Sequence, residues 1–147
     1  MRVELKLERS TAVSHGILEN NGIYWGPIRV GRVDLVKFEI VNTPHDWEFL
    51  HMIIIRSNFR HKGFASSAVL KINEKLKNEN KNGILINQMS VVEARGLYQH
   101  RGWTKIEDSL DREEIFINVP ASEQAINEVR NVWYENLPNW FCSNSKY

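Results

Sequence analysis

The sequence predicts one mixed α/β domain of the α+β kind, and three observations lead to that prediction. The chain has 147 residues, a usual length for a single domain. Apolar and polar residues alternate along parts of the first 55 residues, which is typical of strands. After Gly63 the apolar residues recur at every third or fourth position, which is typical of a helix. No internal repeat or Pro-, Gly- or Ser-rich linker divides the sequence, so residues 1–147 are predicted to form one domain.

The first 55 residues predict several strands. The alternating segment Val3–Leu7 predicts a strand with one solvent-facing side. Residues 10–22 form a polar stretch with no predicted element. Strand segments broken by turn residues are predicted over 23–41, and the apolar run Trp47–Ile55 predicts a central strand buried on both faces.

The rest of the chain predicts helices and strands in alternation. Apolar spacing from Phe64 to Leu76 predicts an amphipathic helix, which we expect to end at Asn82-Gly83. The later predicted elements are a strand from residue 84, a short helix near 91–98, strands at 103–106 and 114–119, and a helix over 122–137 that Pro138 ends.

Composition and charge narrow the class of partner. Hydrophobic residues make up 42% of the chain and charged residues 25%, which is ordinary for a globular protein. The formal net charge of +1 gives no reason to predict a nucleic acid or a membrane as partner. Cys142 is the single cysteine, and the N-terminus lacks the apolar core of a signal peptide. We therefore expect a cytoplasmic protein.

The most informative segment joins the central strand to the first helix. Arg60, His61 and Lys62 precede Gly63 at the predicted helix start. A helix N-terminus offers unpaired N–H groups and the positive end of the helix dipole, so this segment predicts a pyrophosphate site. Gly63 would let the backbone come close to the phosphates, and Ala65 would keep the first turn small. A solvated basic loop is the plain alternative.

Two segments resemble the GNAT superfamily of N-acetyltransferases. The segment R-H-K-G-F-A at Arg60–Ala65 resembles the coenzyme A signature (Q/R)-x-x-G-x-(G/A). The segment A-R-G-L-Y-Q-H-R-G-W at Ala94–Trp103 is similar to the superfamily's A-x-x-L-Y-x-x-x-G-(F/W) helix. The resemblance implies the GNAT acyl-CoA N-acyltransferase fold, in which the central strands of a mixed sheet splay apart, here with flanking helices and an extra C-terminal helix.

The resemblance also implies an activity: direct transfer of acetyl from acetyl-CoA to a primary amine, either a small molecule or a lysine or N-terminus of a protein. The backbone of Ile53, Ile54 and Ile55 would hold pantetheine, and one N–H there would polarise the thioester carbonyl. The loop and first helical turn would hold the phosphates, through Arg60, His61, Lys62, Gly63, Phe64, Ala65 and Ser66. No metal is predicted, because the five histidines lack the spacing of metal ligands.

Acetylation of an alkylammonium with a pKa near ~10.4 calls for a base. The run from Leu50 to Gly63 is similar to that of the arylalkylamine N-acetyltransferases, where a strand histidine at the place of His51 serves as base. Glu48 competes, since other family members use a strand glutamate near this point. Regular alternation places Glu48 on the face opposite His51 unless a bulge intervenes. The plain alternative for His51 is a half-buried structural histidine.

Tyr98 stands where family members carry the tyrosine that protonates the departing thiolate, although a tyrosine on such a helix is often a core residue. Two departures from the family are evident. Val91 replaces an Asn found in many members, and residues 10–22 are too few for the two helices that usually follow the first strand. The acceptor-binding wall that those helices form is therefore expected to be reduced or built from elsewhere.

The C-terminal region 120–147 carries a helix and an aromatic tail that the resemblance does not explain. The simplest interpretation is that the helix covers one sheet face. Alternatively, it forms a homodimer contact or walls the acceptor pocket. A function from another class is also open: a non-catalytic acyl-CoA-binding or protein-interaction module that keeps the fold. An inaccessible Tyr98 and the lack of a usable base would distinguish it.

Overall fold

A computed structural model of the chain describes residues 2–13, 16–38, 46–88, 92–108, 113–118 and 122–136. Its strands are β1 (Glu4–Val13), β2 (Gly16–Trp25), β3 (Ile28–Phe38), β4 (Trp47–Ile55), β5 (Asn82–Gln88), β6 (Thr104–Asp108) and β7 (Glu113–Ile117). Its α-helices are α1 (Phe64–Asn78), α2 (Val92–Gln99) and α3 (Glu123–Asn136). In these ranges no helix combines the length and hydropathy needed to cross a membrane.

The strands form one mixed sheet in the order β1-β2-β3-β4-β5-β7-β6, which confirms the predicted fold class. The pairing of β4 with β5 is parallel, and the other pairings are antiparallel. β1 is followed directly by β2, so the expectation of no element over residues 10–22 was wrong. Several of their polar side chains face solvent or pair across the sheet, as Asn20 does with Asp34, and these positions do not follow an apolar alternation.

Two hydrophobic cores lie on opposite faces of the sheet. The first contains residues of α1 and α2 packed on β3, β4 and β5. The buried positions of α1 recur at helical spacing: Phe64, Ala68, Val69, Ile72 and Leu76. The second core packs Ala125 and Val129 of α3 on Trp47 and Phe49 of β4. The Trp47 Nε1–H also donates to Glu128 Oε2 at 3.1 Å, so α3 covers one sheet face, as the simplest interpretation of this helix predicted.

Helix α1 ends earlier than expected. Asn80 takes a left-handed conformation with φ 54°, which stops the helix at Asn78. The Lys81 N–H donates to the Leu76 carbonyl at 2.8 Å, and the Asn80 N–H donates to the Lys77 carbonyl at 3.2 Å. These bonds satisfy the last carbonyls of the helix. The predicted end at Asn82-Gly83 was wrong, and these two residues instead begin β5. The helix ends earlier because an asparagine, Asn80, can take the left-handed conformation that ends a helix as glycine does.

Candidate active site

The two central strands separate halfway along their length. β4 pairs with β5 from Trp47 to Leu50, opposite Asn82 to Leu85. Both described strands continue, to Ile55 and Gln88, without further pairing to each other. On its other side β4 stays paired with β3 as far as Ile55. β4 and β5 therefore diverge beyond Leu50, and an extended ligand could join the edge of β4 in this gap as a strand does.

A β-bulge lies where this edge begins. In the pairing of β3 with β4, Asp34 is opposite Met52 and Leu35 is opposite Leu50, so His51 is the extra residue. The bulge does not bring Glu48 and His51 together. The His51 ring lies 5.9 Å from the ring of Phe49, which belongs to the core under α3. Glu48 instead faces α1, so the two candidate bases lie on opposite faces, as alternation predicted.

Glu48 lies far from the phosphate loop. It is 1% exposed, and among the described residues neither carboxylate oxygen has a hydrogen-bond partner. The nearest cation is Lys75 Nζ, 4.0 Å from Glu48 Oε1. Burial raises the pKa of Glu48, against the opposing effect of Lys75. Lys75 lies eleven residues beyond Phe64 on α1, or about 16 Å along the helix, which places this carboxylate away from the helix start.

The loop between β4 and α1 is held in a defined shape. A 3₁₀ turn covers Ser57–Phe59, and the Arg56 N–H donates to the Val30 carbonyl of β3 at 2.8 Å. The Arg60 Nε–H donates to the Ile55 carbonyl, also at 2.8 Å. His61 and Gly63 have positive φ angles, 62° and 87°. The positive φ at Gly63 explains the glycine, because a Cβ there would meet no protein atom within 4 Å.

The N-terminus of α1 is uncapped. Gly63 is the N-cap residue and provides no side-chain hydrogen bond. The first helical bond runs from the Ser67 N–H to the Gly63 carbonyl, at 3.1 Å. The N–H groups of Phe64, Ala65 and Ser66 therefore have no acceptor within the helix. Together with the helix dipole they form the donor set expected for a bound anion.

A cleft of about 280 Å³ opens in front of this helix start. One wall comes from the end of β4, the loop and the first turn of α1: Ile55, Phe59, Arg60, His61, Gly63, Phe64, Ala65 and Ser66. The other wall comes from α2 and the residues after it: Gly96, Leu97, His100 and Arg101. The structure thus brings together most of the predicted cofactor residues. Lys62 is exposed outside these walls, and Ile53 is buried in the core below them.

Ile54 and Met52 are half-buried, so the expectation that the whole of β4 is buried on both faces was wrong. Burial on both faces holds from Trp47 to Leu50. From β4, the core beneath α3 includes Trp47 and Phe49 and does not extend to the later residues. Among the described residues, the part of β4 beyond Leu50 is therefore less covered on the face opposite α1 than the part before it.

Tyr98 lies in the core on the α1 side of the sheet, beside β7. Its ring is 2% exposed and packs 6.2 Å from Trp103 and 6.0 Å from Phe116. Phe116 is paired with Leu85, the last residue of β5 that pairs with β4. Tyr98 and His51 lie on opposite faces of the sheet, because Tyr98 belongs to the core under α1 and the His51 ring lies beside Phe49 of the core under α3.

Some cleft residues were not singled out from the sequence. Phe59, His100 and Arg101 line the cleft, and the Arg101 guanidinium donates to the Leu97 carbonyl at 3.0 Å. Helical spacing from Gly96 to His100 could have indicated a shared face of α2. Val91, Cys142 and the aromatic residues after Asn136 lie outside the described residues.

Comparison with known proteins finds similarity at the level of structure. No protein-family model matches the chain, and no curated protein matches its sequence. Among solved structures, an acetyltransferase from Bacillus subtilis in complex with CoA is 18% identical, with a TM-score of 0.54 over 79% of this chain and 95% of that one. A spermidine N-acetyltransferase from Vibrio cholerae, in complex with CoA and spermine, is 16% identical, with a TM-score of 0.54 over 68% of this chain and 63% of that one.

A third similar structure is the IAA acetyltransferase from Bacillus cereus, which is 15% identical, with a TM-score of 0.54 over 68% of this chain and 75% of that one. The chain spans 63% of the length of the Vibrio cholerae enzyme, which is less than two thirds of it. The gap in the sheet and the loop before α1 agree with the resemblance found in the sequence. The chain therefore has the fold of the GNAT acetyltransferases.

Proposed function

We propose that the protein is an N-acetyltransferase that moves the acetyl group of acetyl-CoA directly to a primary amine. One observation carries the proposal: the part of β4 that diverges from β5 runs straight into a basic loop and an uncapped helix N-terminus. These two features provide adjacent sites for an extended amide-containing chain and for a pyrophosphate. The fold shared with acetyltransferases crystallised with CoA supports the same proposal.

The residues of the cleft have separate binding roles. The backbone of Ile53, Ile54 and Ile55 bonds the pantetheine amides along the open edge. The N–H groups of Phe64, Ala65 and Ser66 bond the pyrophosphate, and the cleft-lining Arg60 and His61 lie beside them. The Arg60 side chain is fixed by its bond to the Ile55 carbonyl, so it meets the ligand in a set orientation.

The acceptor reaches the thioester from the face opposite α1, because α1 and α2 cover the other face. His51 lies on that face and takes the proton from the ammonium, directly or through water. The amine nitrogen then attacks the thioester carbonyl carbon while an N–H of the β4 edge donates to its oxygen. The C–N bond forms as the C–S bond breaks, and the sulfur leaves as a thiolate.

Tyr98 is the proposed acid for that thiolate. Its ring packs beside Phe116 in the core under α1, on the face opposite the proposed acceptor. The nitrogen loses two protons in all, the first to His51 before attack and the second as the amide forms. Tyr98 protonates the thiolate and is restored by the second proton, and His51 releases the first to water, so the transfer balances. Glu48 is less well placed as the base, because its carboxylate faces α1 instead of the open side.

Calorimetry with acetyl-CoA tests the first step. Binding is expected at micromolar concentration, and no binding up to high micromolar concentration would refute the assignment. A thiol-release assay over a panel of amines and peptides then compares His51→Ala, Glu48→Ala and Tyr98→Phe. Turnover should fall at least about a hundredfold in His51→Ala and Tyr98→Phe and should change little in Glu48→Ala. Unchanged rates in the first two variants would remove both residues from their roles.

A second candidate function has one observation in its favour. Tyr98 is 2% exposed in the core, as expected if it serves packing alone in a module that binds acyl-CoA without transferring the acyl group. Such a module would bind acetyl-CoA and release no thiol with any amine. The two assays together therefore separate the candidates.

A further inference from the structure

The sheet face opposite α1 carries an ion pair close to the part of β4 that diverges from β5. Val33 and Leu35 of β3 point into the core under α1, so Arg32 and Asp34 between them point to the opposite face. Val36, one residue further, lies in the core under α3 and confirms the alternation. This pair therefore shares the face by which the proposed acceptor enters, and its suggested role rests on that proposed function.

The pair lies one strand away from the gap. Arg32 is opposite Ile54, and Asp34 is opposite Met52, the residue after the bulged His51. Neighbouring strands are about 4.8 Å apart, and opposite side chains on one face are in contact. Arg32 is therefore within side-chain reach of a molecule that lies over Ile54 and approaches His51.

Asp34 holds the arginine in place. Asp34 is 4% exposed, and its Oδ1 accepts a hydrogen bond from Asn20 Nδ2 at 2.7 Å. Arg32 Nε lies 3.0 Å from the same oxygen, in an ion pair too bent to count as a hydrogen bond. The Arg32 side chain is still 42% exposed. Since only Nε faces Asp34, the terminal amino groups of the guanidinium remain to bind another anion.

Two acids of this face, among the residues that the structure describes, already have cationic or hydrogen-bonding partners. Asp34 has Arg32 and Asn20, and Glu8 accepts hydrogen bonds from Arg29 and Tyr24 at 2.7–3.2 Å. The bonds from Arg29 and Tyr24 lower the pKa of Glu8 to about 2. These carboxylates therefore have no surplus negative charge for a polycation, whereas Arg32 can still accept an anion.

We propose that Arg32, positioned by Asp34, selects acceptors that carry a carboxylate or phosphate group in addition to the amine. Arg32 binds the anionic group through its terminal amino groups, while the amine lies toward His51 and the gap. An amine with an acidic group nearby is then the preferred class, and a polyamine or a simple alkylamine is a poor acceptor.

The test uses pairs of acceptors that differ by one anionic group: tyrosine against tyramine, phosphoethanolamine against ethanolamine, and peptides with Asp against Asn beside the N-terminus. Spermidine represents the polyamines. The measured quantity is the ratio of kcat/KM for the anionic and the neutral member of each pair. We expect a ratio of at least about tenfold in the wild-type protein, falling below about twofold in Arg32→Gln. Arg29→Gln is the matched control, because its charge lies on the same face but is held by Glu8, and its ratio should stay at the wild-type value.

A ratio near one in the wild-type protein, or a preference for spermidine, would overturn the proposal. So would equal loss of ratio in Arg29→Gln, which would indicate a general effect of surface charge. A melting temperature and an acetyl-CoA affinity measured for each variant exclude misfolding as the cause. If acetyl-CoA binds but no acceptor is acetylated, the proposed enzymatic function itself fails, and the selectivity proposal fails with it. That result is distinct from acetylation without charge preference.

Discussion

Gly63 offers the sharpest test of the phosphate site, because its substitution separates backbone strain from ligand contact. Gly63 has a φ of 87°, and an added Cβ would meet no protein atom within 4 Å. Gly63→Ala therefore costs the free protein only the strain of a left-handed alanine, about 1–2 kcal/mol. For a chain of this size, that corresponds to a fall in melting temperature of about 2–8 °C.

The effect on acetyl-CoA is expected to be larger than strain alone explains. The new methyl group would occupy the space in front of the N–H groups of α1, where the pyrophosphate is proposed to lie. Loss of one hydrogen bond to a charged group is worth about 1.5–3 kcal/mol, so the Kd measured by calorimetry should rise by at least about tenfold.

Gly102→Ala is a closely matched control. Gly102 has a φ of 86°, and a Cβ there also meets nothing within 4 Å. It does not line the cleft. Both variants should lose similar stability, and only Gly63→Ala should lose acetyl-CoA affinity. Wild-type affinity in Gly63→Ala, or an equal loss in Gly102→Ala, would refute the placement of the pyrophosphate.

Three further substitutions test other parts of the structure. Trp25→Ala removes a ring that packs 5.5 Å from Phe64 at the helix start. The Kd for acetyl-CoA, measured by calorimetry, should therefore rise about 2- to 10-fold. Ile28→Ala in the same turn should leave this Kd unchanged. Glu48→Gln removes a buried charge, so the variant should be more stable than the wild type in urea unfolding at pH 7. The gain in unfolding free energy should be about 1.4 kcal/mol for each unit by which the folded pKa of Glu48 exceeds the ordinary glutamate value of 4.5. Val129→Ala leaves a cavity under α3 and should cost about 1.5–3 kcal/mol of unfolding free energy while acetyl-CoA affinity is unchanged.

The sign of the Glu48 effect follows from proton linkage. Because its folded pKa is raised, the native state binds the proton more tightly than the unfolded state does. Wild-type stability should therefore fall as pH rises from 4.5 through the folded pKa, and this fall should be absent in Glu48→Gln. A less stable variant at pH 7 would show that the attraction of Lys75 outweighs burial. Trp25 and Ile28 are similarly exposed in the wild type, 46% and 43%, so an equal loss of acetyl-CoA affinity in Trp25→Ala and Ile28→Ala would contradict the role of the Trp25 ring. Weaker acetyl-CoA binding in Val129→Ala would contradict the separation of the α3 core from the cleft.

The parts of the site that depend on local sequence could be predicted. The loop conformation follows from Gly63 and the basic residues before it, and the burial of α1 follows from its apolar spacing. The sequence also placed Glu48 and His51 on opposite faces, because side chains of a strand alternate.

The bulge at His51 could not be predicted, since it exists only relative to the partner strand β3. The same holds for the second wall of the cleft. His100 and Arg101 face the loop because α2 packs beside α1, and no local pattern encodes that packing. The ion pair of Arg32 and Asp34 was not predicted, because these two charged residues lie in a strand segment whose adjacent residues are apolar.

One cause connects the wrongly predicted segment with the open acceptor face. The chain has no helices between β1 and β2, and among the described residues the core under α3 reaches Val13, Leu18 and Val36 at one end of β1–β3 but does not include Arg32. A bare sheet face is tolerated in water when its side chains are polar. The polar stretch over residues 10–22 meets that need, and for the same reason it lacks the apolar alternation by which strands are recognised. The residues that make these strands hard to predict are thus the ones that leave Arg32 accessible beside the gap, and the proposed acceptor selectivity depends on that accessibility.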